Sequence, residues 1–120
     1  IISNNALEHS LNPLLELKSL YPLLKKGGLI YFIVPCDNIN LKYYPNNINY
    51  HLYSWSPLNL GNLFNEAGFK VFKTNSRIEK WPPYYKTIQK IFGWKLFFLI
   101  CKVYALFDRS WFESEIQAYK

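Results

Sequence analysis

The tightest constraint on what this chain can fold into is the unbroken apolar run from Leu29 to Val34, fenced by Gly27-Gly28 on one side and Pro35 on the other. A strand that meets water on one face alternates polar with apolar residues. An uninterrupted run marks a strand covered on both faces, the situation of parallel sheets whose crossover helices lie on either side. The flanking segments agree with this. Upstream, Asn12 stands as N-cap and Pro13 as first helical residue, with Leu14, Leu17 and Leu20 at helical spacing and Lys25 and Lys26 near the C-terminal end. Pro22 has no N–H to donate, so the helix is expected to stop near Tyr21. Downstream, Ser56 caps and Pro57 starts a second helix, in which Leu60, Leu63, Phe64 and Ala67 recur at i, i+3, i+4 and i+7 before Gly68 ends it. Phe69 to Thr74 reads as the next strand, and Glu115 to Tyr119 alternates as a half-covered strand does.

Strand, helix, strand, loop, helix, strand is the rhythm of one α/β domain with right-handed crossovers. A chain of 120 residues, 50% of them hydrophobic, is long and apolar enough to build its core. Parallel strands bring their C-terminal ends to one edge, so Ser3 to Asn5, Pro35 to Asp37 and Thr74 to Asn75 are expected to converge where open α/β sheets bind ligands. The stretch Cys36 to Ser54, rich in Asn, Tyr and Pro and without period, reads as a long loop over that edge.

Several function classes are disfavoured. The formal charge of +6 comes from Lys residues scattered from Lys18 to Lys120 with one adjacent pair, a weak footprint for nucleic acid or for an anionic membrane. Cys36 and Cys101 lie far apart with no C-x-x-C spacing, which suits a reducing, cytoplasmic setting. Two His and two Cys without short ligand spacing argue against a metal centre. There is neither a G-x-S-x-G elbow nor a phosphate-binding glycine loop. The chain contains no Met and opens directly on a motif, so it reads as part of a longer protein.

Three blocks, in order, resemble the second half of the class I S-adenosylmethionine-dependent methyltransferases. Ser3-Asn4-Asn5-Ala6-Leu7-Glu8-His9, with Asn12-Pro13 and the Leu-rich helix behind it, is similar to that family's strand four, its Leu-Glu-His turn and the helix that follows. Leu24-Lys25-Lys26-Gly27-Gly28 and the run to Pro35 resemble its Leu-Lys-Pro-Gly-Gly turn and strand five, with Lys26 where Pro is common. His51-Leu52-Tyr53-Ser54-Trp55-Ser56 through Ala67-Gly68-Phe69 resembles the helix that ends before strand six. The resemblance implies a partial Rossmann-like sheet, strands four to seven with intervening helices, in which strand seven runs antiparallel between five and six. The glycine-rich cofactor turn belongs to the family's first half, so residues 1 to 120 alone are expected to be inactive, poorly soluble and exposed along the edge bearing Ile1 and Ile2.

The same resemblance implies S-adenosylmethionine as cofactor, with Ser3, Asn4, Asn5, Leu7 and His9 beside it; strand direction and the aromatic loop place a small-molecule acceptor near Cys36, Asp37, Tyr43, Tyr53 and Trp55. These aromatics either wall a flat or lipophilic acceptor or staple the loop to the sheet. His51 is the first choice for a general base, since only His9 and His51 ordinarily titrate near pH 7. Residues 75–114 are expected to form a helical cap between the last two strands. Within it, Ile88, Phe92, Leu96, Leu99, Val103 and Leu106 form one helical stripe, yet 86–107 is apolar nearly all round. Lys95 and Lys102 interrupt it, which argues against a span. It is read as a buried helix, a cap over a lipophilic acceptor or a helix in peripheral membrane contact. The competing reading is a non-catalytic basic and aromatic domain of degenerate methyltransferase fold that associates with a membrane surface or nucleic acid.

Overall fold

The computed structural model describes residues 1–78 and 80–120. Four strands form one sheet: β1 (Ile2–Asn4), β2 (Leu29–Cys36), β3 (Lys70–Arg77) and β4 (Phe112–Tyr119), in the order β1-β2-β4-β3. β1 pairs parallel to β2, whereas β4 runs antiparallel between β2 and β3. The last strand in sequence therefore holds the two expected parallel strands together. β2, β3 and β4 all reach further than their patterns suggested. Asn75 lies inside β3, and the connection to β4 runs over 78–111 instead of 75–114. Cross-strand pairing carries these strands through Arg77↔Glu113 and Cys36↔Phe112, beyond the point where apolar alternation stops.

Helices α1 (Pro13–Leu20) and α2 (Pro57–Glu66) begin as expected, with Asn12 and Ser56 accepting from the Leu15 and Asn59 backbone N–H groups at 3.0 and 3.2 Å. Each cap satisfies a donor that the first turn leaves unpaired. The two helices pack on the sheet face bearing Ile30, Phe32, Val34, Ile116 and Ala118, and Leu17, Leu60, Phe64 and Phe69 fill the space between. Each such buried apolar side chain contributes about 1.5–3 kcal/mol. The turn into β2 needs glycine: a Cβ on Gly28 would stand 2.8 Å from the Lys25 carbonyl oxygen.

Alternation sends Tyr31, Glu115 and Asn75 to the opposite face. There the Tyr31 hydroxyl donates to Glu115 Oε2 at 2.8 Å and the Asn75 amide donates to Oε1 at 3.0 Å. The bond from Asn75 holds the Glu115 carboxyl below its usual range, against the opposing effect of burial and with help from Tyr31. Burial, followed by the bond to Glu115, pushes the Tyr31 phenol up.

The connection 78–111 carries α3 (Tyr85–Phe107). Its two ends are buttoned together: Arg77 Nε lies 3.7 Å from Glu113, and Lys80 Nζ lies 3.4 Å from Asp108 and donates to the Ser110 hydroxyl. The expectation of one continuous apolar stripe is corrected in two respects. Gly93 has φ 68 and ψ 173, a conformation open essentially to glycine, and it breaks the helix. Beyond the break the buried stripe is Phe97, Cys101 and Ala105, while Leu96, Leu99, Val103 and Leu106 are exposed. A segment apolar on every side has no polar face to fix its rotation, so sequence spacing could not choose between the two stripes. No helix among the described residues is long and apolar enough to cross a membrane.

Candidate active site

The strand ends meet at one edge, as parallel topology requires. β1 finishes at Asn4, and Asn5, with φ 48, turns the chain while its N–H still donates to the Ile33 carbonyl at 2.9 Å. A single 3-10 turn, Leu7–His9, buries Leu7 and Glu8 and leaves His9 outside. The loop after β2 is stitched across this turn. Leu52 and Tyr53 N–H groups both donate to the Glu8 carbonyl, at 2.9 and 3.3 Å, and Trp55 N–H donates to the Pro35 carbonyl at 3.1 Å. The Ser114 hydroxyl of β4 donates to the Trp55 carbonyl at 2.6 Å, and the Asp37 N–H donates to the Ser54 hydroxyl at 2.7 Å. These bonds bring His51 to 3.4 Å from Asp37, Nδ1 to Oδ2. The His51 ring centroid lies 5.5 Å from that of His9 and 6.3 Å from that of Trp111.

Two cavities open on either side of the Asn4-Asn5 turn. The larger, about 820 Å3, has Leu7, Leu11, Leu15 and Phe32 as apolar walls, with Ser3, His9, Ser10 and Asn12 as polar points. The second, about 450 Å3, lies beneath the connection 78–111 and is lined by Asn4, Asn5, Arg77, Lys80, Trp81, Phe98, Trp111 and Glu113. Both fall in the size range of small-molecule sites, and both combine apolar walls with a few placed polar groups.

Of the residues singled out from the sequence, Ser3, Leu7 and His9 line the larger cavity, and Asn4 and Asn5 the smaller. Asp37 and His51 sit together and line neither cavity, although the His51 ring lies near His9, which lines the larger, and near Trp111, which lines the smaller. The remaining acceptor residues lie elsewhere. Trp55 is buried in the core and stacks on Tyr53 at 5.5 Å, while Tyr43 is 92% exposed, and neither lines these two cavities. Trp55 ties the loop to β2 and β4, while the Tyr53 hydroxyl donates to the Leu11 carbonyl at 3.3 Å, ahead of α1. Cys36 is half-buried at the end of β2. The walls that spacing did not reveal are Trp81, Phe98 and Trp111. They come from three parts of one long connection, and only the tertiary fold brings them over Asn4 and Asn5.

Residues 1–74 match the family described as "Methyltransferase domain". No curated protein matches the chain. Among solved structures, the [4+2]-cyclase SpnF superimposes with a TM-score of 0.61 at 12% identity, covering 99% of this chain and 49% of that one. Phosphoethanolamine N-methyltransferase 2 of Haemonchus contortus, in complex with phosphomonomethylethanolamine and S-adenosylhomocysteine, superimposes with a TM-score of 0.57 at 11% identity, covering 99% of this chain and 32% of that one. A second structure of that protein, in complex with S-adenosyl-L-methionine, gives 0.56 at 10% identity over 99% of this chain and 32% of that one. The chain thus spans half or less of the length of these neighbours. This chain shares part of their Rossmann-like fold, with β4 in the antiparallel position that the resemblance gives to strand seven. With the family matched over more than half its residues and the sheet order in agreement, the chain belongs to the methyltransferase-domain family.

Proposed function

We propose that this chain forms the acceptor-side half of an S-adenosylmethionine-dependent methyltransferase that acts on a small molecule with an amphipathic or lipid-linked part. The observation that carries the reading is the cavity walled by Trp81, Phe98 and Trp111 over the Asn4-Asn5 turn, at the edge where strands β1, β2 and β3 end. Three aromatic rings suit a flat or apolar acceptor body. The Asn4 and Asn5 side-chain amides and the Arg77–Glu113 pair offer polar anchors for its head.

The larger cavity fits the cofactor: its volume and its mix of apolar walls with Ser3, Leu7 and His9 suit an adenosine- or methionine-sized group. When bound, S-adenosylmethionine supplies an electrophilic methyl group on a sulfonium. The chain's own contribution is alignment, since holding two reactants at near-attack geometry provides most of the rate in a direct displacement. For a hydroxyl acceptor His51 takes the proton: Asp37 stands at Nδ1 and orients the ring, which leaves Nε2 as acceptor. His51 itself lines neither cavity; its ring lies 6.3 Å from that of Trp111, which walls the acceptor cavity, so the base role requires the acceptor hydroxyl to reach past that indole.

The test is a thermal-shift and turnover series on the full-length protein. S-adenosylhomocysteine at 100 times its Kd adds about 2.7 kcal/mol to stability and raises Tm. His51→Ala should lower kcat more than it weakens cofactor binding, whereas equal loss of both would point to a structural role. No Tm response to millimolar S-adenosylhomocysteine would overturn the reading. A second reading, non-catalytic attachment to an anionic membrane surface, draws on the exposed apolar row Leu96, Leu99, Val103 and Leu106 beside Lys95 and Lys102. Flotation with anionic vesicles, lost on Leu99→Asp, would favour it.

A further inference from the structure

Glu8 is the least explained side chain in the molecule. It is fully buried, yet neither carboxylate oxygen has a hydrogen-bond partner among the described residues. Taking a carboxylate out of water without partners costs several kcal/mol, and buried polar groups in folded proteins are nearly always satisfied. His9 Nε2 is 3.7 Å away, too far for a hydrogen bond. Around this carboxylate the fold assembles two imidazoles. One ligand atom from each of Glu8, His9 and His51 lies within 4.8 Å of the others. The backbone bonds from Leu52 and Tyr53 to the Glu8 carbonyl fix that approach.

We propose that Glu8, His9 and His51 bind one divalent transition-metal ion of the zinc class, with Asp37 orienting the His51 ring from outside the coordination shell. Two nitrogens and one carboxylate oxygen form a borderline donor set that suits Zn2+ or Co2+, whereas Mg2+ and Ca2+ prefer oxygen alone. Bonds of about 2.0–2.1 Å in a tetrahedron put ligand atoms about 3.4 Å apart, so closure from the observed spacing takes side-chain shifts of about an ångström. Asp37 Oδ2 at 3.4 Å from His51 Nδ1 stands where a carboxylate commonly fixes the tautomer of a metal-binding imidazole, which leaves Nε2 for the ion. The His9 side chain is 48% exposed and gives the ion its way in, and three protein ligands leave a fourth position open. The ion supplies the positive charge that the buried carboxylate lacks. It also clamps the turn after β1 to the loop after β2. The site is independent of the methyl-transfer reading, but the two meet at His51. A nitrogen bound to metal cannot accept a proton, so the metal-loaded and base-competent states exclude each other.

The experiment is titration of the chelator-stripped full-length protein with Co2+, followed by displacement with Zn2+. The expected result is one equivalent of Co2+ with visible ligand-field bands that Zn2+ abolishes. His51→Ala should weaken binding by at least about 100-fold, and Glu8→Gln and Asp37→Asn by about 10- to 100-fold. If circular dichroism shows His51→Ala unfolded, His9→Ala, at a half-exposed position, takes its place. Equal affinity in wild type and the histidine variant, or no binding in either, would overturn the proposal. So would strong near-ultraviolet thiolate bands, which would move the ion to Cys36 or Cys101.

Discussion

Two regions of similar apolar richness end differently. In the body of the sheet, Leu17, Leu60, Phe64 and Ile116 are fully buried around α1 and α2. In α3, beyond Phe97, Cys101 and Ala105, the large side chains stand outside: Ile91 at 67%, Trp94 at 61%, Leu106 at 63% and Phe107 at 86%. The body succeeds because each helix carries one stripe with a sheet face to meet. The connection 78–111 is hydrophobic without being patterned, and only the rows facing Trp81 and the strand ends find partners. Apolar content sets how much surface seeks cover, and periodicity decides whether the chain can provide that cover itself.

The contrast can be broken most directly at Phe64, whose ring meets Phe32 at 5.4 Å and Phe69 at 5.6 Å. Phe64→Ala should cost about 3–5 kcal/mol in denaturant unfolding, because a cavity would open between helix and sheet. A loss under 1 kcal/mol would mean that the body is no better packed than the connection. A smaller effect is expected at Gly93. Nothing lies within 4 Å of a Cβ placed there, so Gly93→Ala tests backbone strain without a clash. The strain amounts to about 1–3 kcal/mol, to be relieved only if α3 straightens. Gain of helical circular dichroism with unchanged stability would show that the break is dispensable.

Next comes the polar face. Because the Glu115 carboxyl is held below its usual value, its contribution is present above the unfolded-state value and fades as pH falls through the lowered one. Glu115→Gln should therefore cost about 1 kcal/mol at neutral pH and flatten the acid limb of the stability curve below about pH 4.5. The Tyr31 phenol is raised, so its contribution holds below pH 10 and is lost as pH climbs through the raised value. Tyr31→Phe should remove that alkaline loss. The smallest effect belongs to the outer side of the connection: Phe107→Ser should change unfolding stability by no more than about 0.5 kcal/mol. A larger loss would reveal that this side is covered in the full-length protein.

What the sequence disclosed follows the same line. Asn12, Pro13, Ser56, Pro57 and the run Leu29 to Val34 act locally, through capping, φ restriction and two-sided burial, so their signals survive without tertiary information. The alternation of Glu115 to Tyr119 announced a strand, and the resemblance placed it between β2 and β3. The site was legible only in part. Asn4 and Asn5 follow from strand direction. The approach of His51 to Asp37 and His9 depends on backbone bonds between a loop and a distant turn, which leave no periodic trace. The spacing argument against a metal centre likewise covers only ligands on one local element. It had no view of Glu8 facing a histidine from the far end of another loop.

The position of β4 has a consequence for how the protein is made. β2 and β3 are never hydrogen-bonded to each other: the strand that joins them is synthesised after both. When Arg77 has been added, β3 has no partner until Phe112–Tyr119 is complete, and at translation rates of about 5–20 residues per second that wait lasts roughly two to eight seconds. Throughout it, Ile30, Phe32 and Phe69 lack the Ile116 and Ala118 side chains that complete their layer. The growing chain thus carries the β1-β2 pair and a lone β3 while the apolar segment 85–107 is being added. Arrest of translation between Arg77 and Phe112 should leave a nascent chain that recruits holdase chaperones, and extension well past Tyr119 should dismiss them.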